Sequence, residues 1–148
     1  MSQSDYKYDR KWQDQYTQQI MSTLKPLTPH CVELSIAPVE EDNKHATDYV
    51  VTMGRGSIAV RLRRPFYDQR DLTIRSRRDN GIKTIKTELA KIKEGYAFRY
   101  FYGWTDKNII PEWMLVDLDK LRQSGLLEKR WHEYPNKDKD GKPDGTYF

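Results

Sequence analysis

Asp48-Tyr49-Val50-Val51-Thr52-Met53-Gly54-Arg55-Gly56-Ser57-Ile58-Ala59-Val60-Arg61-Leu62-Arg63 is the stretch that decides the fold. Asp48 to Met53 is rich in β-branched residues and reads as a strand. Gly54-Arg55-Gly56 is a tight turn, and Ser57 to Arg63 alternates apolar and polar residues. Two strands joined by a glycine turn predict a hairpin. Period two puts Ile58, Val60 and Leu62 on one side of the second strand and Ala59, Arg61 and Arg63 on the other. Pro65 ends that strand.

Downstream, Asp71 to Ser76 reads as a further strand, with Arg77-Arg78-Asp79-Asn80-Gly81 as a turn. Ile82, Ile85, Leu89 and Ile92 recur at helical spacing, and Gly95 stands where a left-handed cap is wanted. Tyr96 to Tyr102 is an aromatic strand. Glu112 to Val116 is apolar enough for a central strand. Asp117 can cap a short helix through Gln123, which Gly125 ends. Upstream, Val32 to Ile36 reads as a strand closed by Pro38. Tyr8, Trp12, Tyr16, Ile20 and Leu24 recur every fourth residue, so a helix runs from about Asp9 to Leu24, stopped by Pro26 and Pro29. The tail after Trp131 is polar. Asp138-Lys139-Asp140-Gly141 with Asp144 lacks the twelfth-position acid of a calcium loop and reads as a hydrophilic turn before a terminal edge strand.

Strands cluster before the middle helix. The fold class is therefore α/β of the α+β kind, with a central mixed sheet flanked by helices. Neither a repeat nor a linker divides residues 1–148, so a single domain is expected, with 1–7 and 135–148 peripheral.

Charged residues make up 32% of the chain and hydrophobic residues 36%, yet eighteen aromatics argue for a packed core over disorder. No apolar run is long enough for a membrane span, and Met1 to Asp5 leads into no signal-like stretch. Cys31 is the lone cysteine, which suits a reducing, cytoplasmic setting. With only His30, His45 and His132 beside it, no zinc spacing forms, and no metal site is assigned.

The charge is uneven. Arg55 to Lys86 holds ten Lys or Arg against three Asp, and the remaining residues hold sixteen against nineteen Asp or Glu. If the strands Ser57–Arg63 and Asp71–Ser76 share a core, Arg61, Arg63, Arg75 and Arg77 gather on one face, rimmed by Arg64, Arg78 and Lys83. Such a face suits a polyanion, because a guanidinium forks onto phosphate. Two blander readings stand beside it. The arginines could pair internally with Glu40, Glu41, Asp42, Asp68, Asp71 and Glu88, or they could grip an acidic protein. Tyr67, Tyr100, Tyr102 and Trp104 could stack on bases, although aromatic residues in strands more often form core.

Asp48, Glu41 and Glu88 are the candidate catalytic acids, but no spacing forces them together. The plain readings are a strand-end residue for Asp48 and a surface partner of Lys91 or Lys83 for Glu88. No nucleophile-elbow motif supports a Ser/His/Asp triad, and His45 reads more simply as a surface histidine than as a base. Cys31 reads as a small core residue.

The order helix, hairpin, strand, helix, strand, together with Asp48, resembles the PD-(D/E)XK, or restriction-endonuclease-like, superfamily. The resemblance implies an acid at Asp48 and an acid-x-Lys motif at Ala59-Val60-Arg61. Arg61 could replace the lysine, but Ala59 has no carboxylate, so Glu41 or Glu88 would have to supply one to Mg²⁺. The chain also resembles a group of uncharacterised phage and bacterial proteins, through Glu40-Glu41-Asp42 to Ala46-Thr47-Asp48, Ile58 to Arg64, Lys86 to Ile92 and Trp113 to Asp119. That likeness implies a phage or mobile-element setting and brings no activity.

The function expected is nucleic-acid binding through Arg61, Arg63, Arg64, Arg75, Arg77, Arg78 and Lys83, with no cofactor. One alternative is an active Mg²⁺-dependent nuclease using Asp48 with Glu41 or Glu88, and Arg61. The other is an adaptor for an acidic host protein.

Overall fold

A computed structural model describes residues 11–27, 34–38, 49–51, 56–65, 71–78, 86–129, 132–137 and 143–147. Residues 11–14 are helical; the chain turns at Gln15 and Tyr16 and continues as α1 (Thr17–Leu27). There follow β1 (Leu34–Ile36), β2 (Tyr49–Val51), β3 (Gly56–Arg63), β4 (Arg77–Arg78), α2 (Glu88–Lys93), β5 (Arg99–Asp106), β6 (Ile109–Asp117), α3 (Leu118–Gln123), a 3₁₀ turn (Leu126–Glu128), β7 (Pro135–Lys137) and β8 (Pro143–Tyr147). This is an α+β arrangement. Among the described residues, no helix is long and apolar enough to cross a membrane.

Five strands form one mixed sheet in the order β1-β2-β3-β5-β6. β2 and β3 pair antiparallel, as the hairpin reading expects, while β3 and β5 run parallel at the centre. A parallel pair needs a long crossover, and α2 lies within it. The register places Ala59, Arg61 and Arg63 beside Tyr100, Tyr102 and Trp104, and Ile58, Val60 and Leu62 beside Arg99, Phe101 and Gly103.

Both faces of the sheet are covered. Ile58, Val60, Leu62 and Phe101 pack with Tyr16, Ile20 and Leu24 on one side. Ala59, Tyr100, Tyr102 and Trp104 pack with Ile92, Ala97, Leu118 and Leu127 on the other, joined by Leu72 and Ile74. Gly103 lets the first core close, since a Cβ there would sit 2.9 Å from Ile110 Cγ2. At the outer edge, the Gln19 side chain accepts a hydrogen bond from Ile110 N (3.1 Å) and donates to Ile110 O (3.4 Å). A side-chain amide thus blunts part of an exposed strand edge, and Pro111 removes the next donor.

The two short helices after β3 are capped as their sequences require. Thr87 caps α2 by accepting from Ala90 N. At the other end Gly95 is left-handed, with Gly95 N bonded to Ile92 O and Tyr96 N to Lys91 O. That pair of bonds is the Schellman arrangement. Asp117 caps α3 by accepting from Lys120 N, and Gly125 is left-handed beyond it.

Several expectations change. α1 runs through Pro26 to Leu27, because a proline in the last turn forfeits only bonds that the helix end is already losing. Asp71 to Ser76 is not a strand but an extended strap, and the expected turn at Arg77-Arg78 is β4. α2 starts at Glu88, whereas Ile82 and Ile85 lie outside the described residues. The aromatic strand β5 starts at Arg99, since Ala97 is left-handed and breaks the ladder. β6 is an edge strand, not a central one. Its apolar residues reach both cores, Ile110 and Leu115 on one side and Met114 and Val116 on the other, while Ile109 and Trp113 are exposed. The tail forms a second sheet in the order β4-β8-β7, so the last strand is central there instead of at the edge.

Candidate functional site

Arg61 leaves β3 on the side of the second core and ends against α2. Its Nη1 donates to Glu88 Oε2 at 2.6 Å. The same oxygen accepts from Arg75 N at 2.9 Å, and Glu88 Oε1 accepts from Tyr100 OH at 2.6 Å. The pair is largely buried, with side-chain exposures of 16% for Arg61 and 18% for Glu88. Glu88 opens α2 directly after the Thr87 cap, so the cap fixes where the carboxylate points. Leu89 N donates to Arg75 O at 3.0 Å, which ties the strap to the same helix start.

Burial alone would raise the Glu88 pKa. The Arg61 charge, the Arg75 N–H and the Tyr100 hydroxyl outweigh it and hold the carboxyl below its usual value. Burial likewise opposes the charge on Arg61, but Glu88, Tyr100 and Tyr102 together outweigh it and the Arg61 pKa rises. Tyr100 is pushed well upward by burial and then by Glu88, so it stays a neutral donor.

The expectation of one open arginine face therefore divides. Arg61 sits in this internal cluster. Arg63 Nη2 lies 3.7 Å from Asp71 Oδ1, with Arg63 11% and Asp71 48% exposed. The Arg63 guanidinium also lies 5.8 Å from the centre of the Tyr102 ring, and Thr73 Oγ1 is hydrogen-bonded to Tyr102 OH at 3.0 Å. Arg64 turns to the opposite side and lies over Trp12 at 4.8 Å. Arg77 is 51% exposed, stacks on Tyr147 at 4.0 Å and is 3.9 Å from Glu133. Arg78 is in β4. Lys83, Asp48 and Glu41 lie outside the described residues, as do Tyr67, His45 and Cys31.

Two readings of single residues are decided. Glu88 is not a surface partner of Lys91 or Lys83; a buried guanidinium, a phenol and a main-chain N–H hold it. Of the two readings offered for Tyr100, Tyr102 and Trp104, the plainer one holds: all three are buried in the core and are not platforms for bases. The clue to both was in β5. Tyr100, Tyr102 and Trp104 alternate with Phe101, so the strand is apolar on both sides, and its neighbour β3 must then be covered on both sides as well.

Of the acids that the nuclease resemblance implies for Mg²⁺, Asp48 and Glu41 lie outside the described residues, and Glu88 does not fit as a ligand. A carboxylate already accepting three hydrogen bonds, one of them from a guanidinium, has its charge matched. Among the described residues, no three His, Cys, Asp or Glu side chains converge. Comparison with protein-family models, with curated proteins and with solved structures finds no match. The site is therefore weighed on its own geometry.

Proposed function

We propose that this protein binds nucleic acid by its phosphates, through cations placed at the carboxyl end of β3 and along the strap. The observation that carries the reading is the division among the arginines. Arg61 is neutralised inside by Glu88, while Arg77 is half exposed and the largely buried Arg63 meets the half-exposed Asp71. The basic block from Arg55 to Lys86 thus commits Arg61 to the scaffold; the ligand is assigned to Arg63, beside the half-exposed Asp71, and to the half-exposed Arg77, with Arg64, Arg75, Arg78 and Lys83 added from the sequence alone. Ligands of open α/β sheets commonly sit beyond the carboxyl ends of parallel strands, and β3 and β5 are such a pair. Contacts of this kind give affinity with little sequence readout.

A restriction-endonuclease-like ancestry draws its support from the hairpin β2–β3 and the parallel strand β5 on either side of α2; the strand expected between hairpin and helix is a strap instead. Under that reading, the Arg61–Glu88 pair stands where catalytic groups once stood, and the chain is a degenerate nuclease of phage or mobile-element origin that holds its substrate class without cutting it.

The test is a salt titration of binding to labelled single- and double-stranded DNA and RNA, repeated with Mg²⁺ and read for cleavage. Binding whose log affinity falls linearly with log salt, with the oligonucleotide left intact, supports the reading. Cleavage that depends on Mg²⁺ would replace it with the nuclease reading. No binding at low salt, with capture of an acidic protein that survives nuclease treatment, would replace it with the adaptor reading.

A further inference from the structure

Two arginines of β3 meet carboxylates, and the two pairs differ in kind. Arg61–Glu88 is short at 2.6 Å, largely buried on both sides, and its carboxylate is held by two further donors. Arg63–Asp71 is long at 3.7 Å and one-sided: the Arg63 side chain is 11% exposed and the Asp71 side chain 48%. Asp71 begins the strap, and the strap is fastened further along, by Thr73 to Tyr102 and by Arg75 N to Glu88. Movement of the Asp71 side chain leaves those fastenings in place.

We infer that Arg63 is a phosphate-binding subsite and that Asp71 is its built-in plug, a carboxylate standing where a phosphodiester oxygen goes when nucleic acid binds. The inference rests on the nucleic-acid reading above and refines it. The guanidinium is oriented by β3 and the adjoining Tyr102 ring, so it is organised before the ligand arrives. A long contact to an exposed carboxylate contributes little, because water screens it. A phosphate can approach from the same solvent side and fork onto the guanidinium. The plug keeps a buried cation matched in the free protein and sets a charge that each bound phosphate must displace. Asp71 therefore weakens binding while leaving the fold unchanged.

The experiment compares wild type with Asp71→Asn, Asp71→Ala and Glu128→Gln in binding to one fluorescein-labelled oligonucleotide across a salt series. Glu128 pairs with Lys93 in place of an arginine of the basic block, so its neutralisation measures net charge alone. Both Asp71 variants are expected to bind about 3- to 10-fold more tightly, with the slope of log affinity against log salt close to that of wild type, because the same phosphates are contacted once the plug is displaced. Glu128→Gln should change affinity by less than about 2-fold. Thermal melts check that each variant is folded. If wild type binds and the Asp71 variants bind no more tightly than Glu128→Gln, the plug is refuted while the nucleic-acid reading survives. If none of the four proteins binds, both fall.

Discussion

Glu88 ties β3, β5 and the strap to the start of α2. It ends the charge of Arg61, accepts the Tyr100 hydroxyl and holds the strap through Arg75 N. Glu88→Ala leaves a buried guanidinium and two donors without their acceptor. The expected loss is about 3 kcal/mol or more in urea denaturation, the usual cost of removing one partner of a buried pair. The pH dependence has a definite sign. The folded carboxyl lies below its ordinary value of 4.5, so the unfolded chain takes up the proton first as pH falls. The Glu88 contribution is complete above that ordinary value and is lost as pH drops through the folded one. The stability gap between wild type and Glu88→Gln should stay level from pH 7 to about 5 and close below 4.5. A gap that stays constant down to pH 3 would show that the Glu88 charge does no such work.

At the scale of elements, α2 is too short to be stable by itself and depends on its two ends. Thr87→Ala removes the cap that aims Glu88 and should cost about 1 kcal/mol. Gly95→Ala puts a Cβ on a residue with φ of 88° and should cost about 1 kcal/mol as well. Both are read from thermal or urea melts. These ends were legible in the sequence, because capping is a local affair: Gly95 and Asp117 could be assigned from their neighbours alone. The alternation of Ile58, Val60 and Leu62 against Ala59, Arg61 and Arg63 was legible for the same reason. What covers the second side of β3 was not legible, since Glu88 lies 27 residues from Arg61 and no local pattern links them. The strap was read as a strand because its alternation is real. Thr73 and the Arg75 N–H do engage the sheet face and Glu88, but through side chains and a helix end in place of a ladder. The mistaken central placing of Glu112 to Val116 came from judging a strand by apolarity alone, when its hairpin with β5 leaves it at the edge.

For the molecule as a whole, the sequence carries a basic block in a chain otherwise slightly acidic, and excess positive charge steers polyanions. The central claim is that this block has an inner arginine for the scaffold and outer ones for the ligand. The most direct measurement is a two-way comparison of Arg61→Met with Arg64→Gln/Arg77→Gln, each read for urea stability and for the salt slope of oligonucleotide binding. Arg61→Met should lose about 3 kcal/mol of stability, because Glu88 is left buried without its cation, and keep the wild-type slope. The double variant should lose no more than about 2 kcal/mol, the worth of its two ring contacts, and give up about 1.4 to 1.8 units of slope. The reverse pattern, a slope lost with Arg61 and kept without Arg64 and Arg77, would contradict the account.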